Sequence, residues 1–469
     1  MTNLVPGFYE EICRLFDETA LPSLSQFIRI RNLSPAFDPG GESVPSTHAA
    51  LQHVADWAAD HCPEGTAINT LDTIKNSPML VIDIPGTADG TVLCYGHLDK
   101  HPSAALWTHG SSGYEPVRRD DKLYGRGSVD GGFAPHCYIT AIATLAQLDV
   151  ARPRCVLFLE TTQKSASVFL PRYLPELSAI AGSPDMIVFL ESICADYDRI
   201  WYLTGYRGIV EGSLSVDVSS KPAHSGAVGM APSALGIAFT LLDRIADLST
   251  GSMKLDELAV KAPTHLTTGG EKTDAIAGRY FLDAAGVDRD IPGITDMPAA
   301  AASRPVWNAG LAIANIDGLS SGDIVGGVLP AGVKLKIGIR VPPTCDSVAA
   351  AEAVENGLVE NPPHNATVDF TPSNILPSWH SGALPDWLRQ SVRKASVDYF
   401  GNEAVGWCIG GANPAIEIVT QQFGDVPILV SGLMGPKANF KETDESLDLT
   451  AAHKMTASIG QILADFAKD

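Results

Sequence analysis

Positive charge is scarce in this sequence. Its 33 lysines and arginines face 54 aspartates and glutamates, a formal net charge of −21 over 469 residues. That excess argues against nucleic acid and against anionic membranes as partners. Long apolar runs are missing as well, and none reaches the length that spans a bilayer. The first twenty residues lack a basic start followed by an apolar stretch, so the expected location is cytoplasmic. The eight cysteines (Cys13, Cys62, Cys94, Cys137, Cys155, Cys194, Cys345 and Cys408) show no paired metal spacing. Cys94 and Cys155 lie inside apolar runs, where a small buried hydrophobe belongs, and reduced thiols are expected throughout. No internal repeat and no run of like charge stands out.

What is present describes a globular protein, 45% hydrophobic and 19% charged, too long for one ordinary core. Short apolar runs end in polar residues. Val92-Leu93-Cys94-Tyr95 precedes His97 and Asp99, and Cys155-Val156-Leu157-Phe158-Leu159 precedes Glu160, Gln163 and Lys164. Met186-Ile187-Val188-Phe189-Leu190 leads into Glu191, and Pro427-Ile428-Leu429-Val430 runs towards Asn439 and Lys441. Such runs suit buried parallel strands, and chemistry collects beyond their carboxyl ends in an open α/β sheet. Helical spacing covers 1–60 and 135–147. After Arg207-Gly208 the period changes: Val210 to Val218 and Val333 to Val341 alternate strictly, as strands with one solvated face do. Helical runs at 231–248 and 347–357 accompany them, and a Gly/Ala/Pro-rich stretch, 268–305, reads as an irregular insertion. The organisation expected is one α/β domain from 1–206 and 376–469, with a second domain, 207–375, inserted in it.

Several stretches together resemble the zinc amidohydrolase/peptidase family of carboxypeptidase G, aminoacylase, succinyl-diaminopimelate desuccinylase and carnosinase, nearest the carnosinase-like dipeptidases. They are Phe27-Ile28-Arg29-Ile30, Tyr95-Gly96-His97-Leu98-Asp99-Lys100, Leu123-Tyr124-Gly125-Arg126-Gly127-Ser128-Val129-Asp130, Tyr206-Arg207-Gly208, Ala223-His224-Ser225-Gly226, Arg340-Val341-Pro342-Pro343 and Gly410-Gly411. The resemblance implies a doubly wound zinc-peptidase-like catalytic domain with an inserted α/β lid that dimerises. It also implies roles. His97 is a zinc ligand oriented by Asp99 through its other ring nitrogen, Asp130 bridges two metals, and Glu191 completes the metal that His97 binds. The second metal takes the second glutamate of a Glu-Glu pair and a late histidine, and the first glutamate is the general base.

Here the pair falls on Gln163-Lys164, and the late histidine falls on Lys441, in Asn439-Phe440-Lys441. A protonated amine is no ligand, and an amide is no base at neutral pH. The three changes agree: they remove one metal and the base beside it. Lys164 and Lys441 are expected to fill the vacated volume and pair with Asp130. Arg340, His224, Gly410, Gly411 and Asn439 would, by the resemblance, hold a small-molecule substrate with a carboxylate, His224 reaching across a homodimer. His101, His109 and His136 lie in no motif and read as structural. No cofactor is expected, at most one zinc ion. The function expected is non-hydrolytic chemistry (condensation, cyclisation or rearrangement) on an amino-acid-derived carboxylate. A binding protein without catalysis and a residual mono-zinc hydrolase using His97, Asp130 and Glu191 stay open beside it.

Overall fold

The computed structural model describes residues 4–103, 106–266, 271–286, 302, 305–319 and 327–467. The apolar runs form strands because both of their faces are covered. Cys94, Tyr95, Cys155, Leu157, Phe158, Val188 and Phe189 are all buried. They belong to a six-stranded sheet in the order Ala67–Leu71, Met79–Ile84, Arg154–Glu160, Thr91–His97, Met186–Phe189, Ile428–Val430. The last four strands run parallel, and the first two join antiparallel at one edge.

Helices Phe133–Gln147 and Leu449–Phe466 pack against each other, and helix Phe8–Leu15 packs on both. Phe8, Ile12, Leu15 and Phe16 recur at helical spacing and are buried together. Each such side chain contributes about 1.5–3 kcal/mol through burial. This compact unit comprises Met1–Leu203, Ser381–Gly406 and Asn413–Asp469.

The other unit, Thr204–His380 with Trp407–Ala412, has a four-stranded antiparallel sheet. Its order is Gly310–Asp317, Gly332–Val341, Gly208–Asp217, Thr367–Leu376. Val333, Leu335, Ile337, Ile339 and Val341 point inward, under helices Ala234–Ile245 and Ser347–Val359. Lys334 and Lys336 point to solvent, as the alternation requires.

The structure departs from the sequence reading in two places. Glu271–Ala284 is a helix inside the supposed irregular stretch 268–305, most of whose remainder lies outside the described residues. The glycines and alanines around it mask an aromatic pair, Tyr280 and Phe281, that meets Trp407 at 5.8 and 5.5 Å between ring centroids. The same contact explains why Trp407–Ala412 joins the second unit although it was expected with 376–469. Cys408 packs with Leu266, Val306 and Trp307, and local pattern cannot show a contact made so far along the chain. Among the described residues no helix is long and apolar enough to cross a membrane.

Candidate active site

The parallel strands deliver side chains to one end of the first unit's sheet. Thr91–His97 ends on His97, with Asp99 just beyond. Arg154–Glu160 leads into the tight turn Gln163–Ser165, and Met186–Phe189 leads to Glu191. Asp130 precedes helix Phe133–Gln147, and Lys441 lies in the connection after Ile428–Val430. His97 is wholly buried. Its Nε2 stands 3.4 Å from Asp130 Oδ1 and 3.3 Å from Glu191 Oε2. Its Nδ1 lies 3.1 Å from the Asp99 carbonyl and 3.3 Å from the Asp99 carboxylate. Gly131, at φ 104°, is needed beside it, because a Cβ there would come within 2.7 Å of the imidazole.

Lys164 donates from Nζ to Asp130 Oδ1 at 2.6 Å, and its side chain is 5% exposed. Asp99 holds that lysine's turn in place by accepting the backbone N–H groups of Gln163 and Lys164, at 3.1 and 2.7 Å. Gln163 donates weakly to Asn413 at 3.4 Å, while its own carbonyl oxygen is buried without a partner. Lys441 is different. It is an exposed residue at φ 69°, and among the described residues its amine has no hydrogen bond, lying only 6.0 Å over the Phe440 ring. Its loop is fixed from below: Arg126 donates to the carbonyls of Lys441 and Glu442, both at 3.0 Å, and pairs with buried Glu445 at 2.5 Å. Glu445 in turn accepts the N–H of Gly127 at 2.9 Å and of Asp130 at 3.3 Å, so one ion pair positions both Asp130 and Lys441.

The electrostatics separate these groups. Burial and the Lys164 ammonium push His97 down, but Glu191, Asp130 and Asp99 outweigh them and hold it well above the usual histidine range. Burial opposes ionisation of Asp130, yet Lys164, His97 and Lys441 keep it well below the usual carboxylate range. Burial raises Glu191 against the pull of His97. Burial disfavours the Lys164 ammonium too, but Asp130, Glu191 and Asp99 raise its pKa. Lys441 goes the other way: crowding of its amine and then Lys164 lower it, with Asp130 resisting. The two lysines therefore have opposite tendencies within one site.

Of the remaining candidates, Asn439 is exposed at φ 49° on the Lys441 loop. Arg340, His224, Gly410 and Gly411 belong to the second unit. His224 is exposed there and accepts the Gly226 N–H on Nδ1 at 3.0 Å. His101, read as structural, packs its ring 4.6 Å from that of Phe37, and burial first, then Lys441 and Lys164, lower it to about 4. His136, bonded to Gly132 and Ser23, and His109, stacked on Tyr124, pack away from this cluster.

No protein-family model matches the sequence. The chain is 27% identical over 202 residues to the succinyl-diaminopimelate desuccinylase of Cupriavidus pinatubonensis, covering 42% of this chain and 51% of that protein. The matched stretches span between 28 and 51% of the length of the first such relatives, which are a metallohydrolase, that desuccinylase and a mouse β-Ala-His dipeptidase. Solved structures extend the likeness to the whole chain. Human carnosine dipeptidase 1 superposes with a TM-score of 0.74 at 18% identity over 100% of both chains. An M20 family metallo-carboxypeptidase from Sulfolobus solfataricus gives 0.75 at 14% identity, over 96% of this chain and 99% of that one. The fold is that of the M20 metallopeptidases.

Among the described residues, one group is disposed to hold a metal ion. The donor atoms of His97, Asp130 and Glu191 all lie within 4.8 Å of one another. The 3.3–3.4 Å spacings from the imidazole match the edge of a zinc tetrahedron, about 3.3 Å for bonds of about 2.0 Å. Both Glu191 oxygens are buried without a hydrogen bond. At the neighbouring position the Lys164 ammonium meets Asp130 directly, and neither it nor Lys441 offers a lone pair while protonated. One ion would need His97 neutral and Asp130 shared with Lys164.

Proposed function

We propose that this chain is an M20 scaffold with a rebuilt active site, acting without hydrolysis on an amino-acid-derived carboxylate substrate. The observation that carries this reading is the 2.6 Å ion pair between Lys164 and Asp130. It puts a fixed positive charge where the resemblance expects a second metal, and Gln163 supplies no base to activate water. Asp99, Asp130 and Glu191 face protonated His97 and Lys164, so most of the carboxylate charge is met without any ion.

The two lysines divide the work. Lys164, kept protonated by its acids, stabilises negative charge developing on a bound carbonyl or carboxylate. Lys441, without a hydrogen bond among the described residues and lowered first by crowding of its amine and then by Lys164, is the amine available as base or Schiff-base nucleophile. Condensation, cyclisation and rearrangement can each use such a pair and need no activated water. Arg340 holds the substrate carboxylate, His224 its carbonyl, and the Gly410-Gly411 turn and Asn439 shape the pocket. By this reading the protein is a cytoplasmic homodimer through the lid at 207–375, because exposed His224 has a role only if it reaches a partner's site.

The decisive experiment is metal analysis after brief chelation and dialysis, followed by borohydride reduction in the presence of candidate carbonyl compounds. The reading predicts no dinuclear centre and an adduct on Lys441. About two zinc ions per chain would sink it. The unpaired oxygens of Glu191 support a second reading, a mono-metal hydrolase in which His97, Asp130 and Glu191 hold one ion that polarises a carbonyl. One tightly held ion per chain, with no adduct, would select that reading.

A further inference from the structure

In the second unit, two arginines stand together, neither ion-paired among the described residues. Arg207 lies at the bend that enters strand Gly208–Asp217. Arg340 lies on the neighbouring antiparallel strand, whose register pairs Ile209 with Arg340 and Gly208 with Val341. The two are thus diagonal neighbours, a separation that long side chains bridge. Among the described residues neither guanidinium forms an ion pair or a hydrogen bond, and Arg207 Nε is buried with no partner. The acid nearest in effect is Glu211, an exposed residue already taken by Asn374 at 3.0 Å. Burial first, then Arg340, lowers Arg207 to about 10, which is the signature of two cations sharing a desolvated corner.

The turn at Gly410-Gly411 completes this corner. A Cβ on Gly410 would stand 3.2 Å from Arg207 Nη2, so the guanidinium lies against bare backbone. A Cβ on Gly411 would meet nothing within 4 Å, so open space adjoins it. All of these residues belong to one compact unit. The chain carries a net charge of −21, yet among the described residues no acid forms an ion pair with either guanidinium of this corner. Desolvated guanidiniums left unpaired destabilise a protein, and each presents a planar fork that matches one carboxylate.

We propose that Arg207 and Arg340 each hold one carboxylate of a two-carboxylate ligand. The proposal rests on the reading above, in which Arg340 faces the substrate, and adds a second anchor, Arg207, and hence a substrate class: amino-acid-derived dicarboxylates. A monocarboxylate would leave one guanidinium unpaired.

Calorimetric titration of the full-length protein with butyrate, glutarate and inorganic phosphate tests this. Glutarate should bind at least about tenfold tighter than butyrate, the worth of one added charge-assisted pair. Arg207→Met should erase that advantage, Arg207→Lys should restore part of it, and Arg340→Met should weaken both ligands. Thermal melting checks that the variants fold. If Arg207→Met does not fold, Gly410→Ala decides, since its methyl crowds Nη2 without touching either charge and should cut the glutarate advantage. Glutarate binding no better than butyrate, an advantage that survives Arg207→Met (or Gly410→Ala where that variant decides), no binding of either, or phosphate binding tighter than both would each overturn the proposal. Unchanged butyrate binding in Arg340→Met, with the glutarate advantage still lost in Arg207→Met, would remove Arg340 from the substrate site and with it the paired arrangement, leaving Arg207 a lone anion anchor.

Discussion

The two halves of the candidate active site are built differently. His97, Asp130 and Glu191 sit at strand ends or against a helix start, wholly under cover, with the imidazole wedged over Gly131. Lys164 and Lys441 sit on irregular turns with left-handed backbone at non-glycine positions: Ala166 and Ser167 after one, and Lys437, Asn439, Lys441 and Asp444 around the other. Such residues cost about 1–3 kcal/mol each and persist only where surrounding bonds impose them. The strand-end half is fixed by the sheet. The lysine half is held by a few specific bonds, chiefly Asp99 under one turn and Arg126 with Glu445 under the other. The two lysines stand where replacing a side chain leaves the sheet undisturbed.

The largest test of that contrast is to reverse it. Gln163→Glu, Lys164→Glu and Lys441→His together should yield a chain that binds two zinc ions, read by metal analysis. Each single change should bind few, because one ammonium still opposes the ion. A folded triple variant that binds no metal would mean that Lys441 does not occupy the histidine's position.

Breaking the bonds under the lysine half comes next. Arg126→Met leaves Glu445 buried and unpaired, and stability should fall by about 3–5 kcal/mol in urea titration. The Lys441 loop should loosen with it, seen as faster amide exchange at 437–444. Lys164→Met should cost less, about 2–3 kcal/mol, because Asp130 keeps His97 as a partner. Equal losses in the two variants would erase the distinction drawn here.

A pH experiment probes the sheet half. Glu160 is buried and accepts hydroxyls from Tyr95, Ser167 and Thr162, yet burial and Asp99 push its carboxyl from 4.5 to about 7. The folded protein therefore keeps a proton that the unfolded chain releases between those values. Its contribution is fully present below about 4.5, is lost as pH rises to about 7, and is level above. Glu160→Gln should gain on the wild type by about 2 kcal/mol between pH 5 and pH 8, measured by urea midpoints. No change in the difference would mean that the buried carboxyl is already ionised at pH 5. The smallest effect is expected at Lys441. Lys441→Met should change stability by no more than about 0.5 kcal/mol, as exposed residues do, while abolishing the borohydride-trapped adduct.

Much of this was legible in the sequence. The strand runs gave the sheet and placed His97, Gln163, Lys164 and Glu191 beyond its ends, because apolar runs and their polar terminators are local signals. Lys441 was placed only by register with its neighbours, across a loop whose conformation depends on Arg126, more than three hundred residues earlier. The helix Glu271–Ala284 was hidden by the composition around it. Arg207 was read as part of a motif without a task, since its closeness to Arg340 comes from strand register more than a hundred residues apart.

The short segment Trp407–Ala412 has a consequence for how the protein is made. The chain leaves the first unit at 203, returns at 381, leaves again at 407 and returns at 413. Trp407 and Cys408 fill an apolar cluster with Phe281, Val306 and Trp307, residues synthesised about a hundred positions earlier. On the ribosome, the inserted unit therefore emerges with that cluster open and cannot close it until residue 412 is outside the exit tunnel. Its folding is completed late and from the far side of a second excursion, so a truncation just short of 407 should fail in the inserted unit although it deletes none of that unit's sheet.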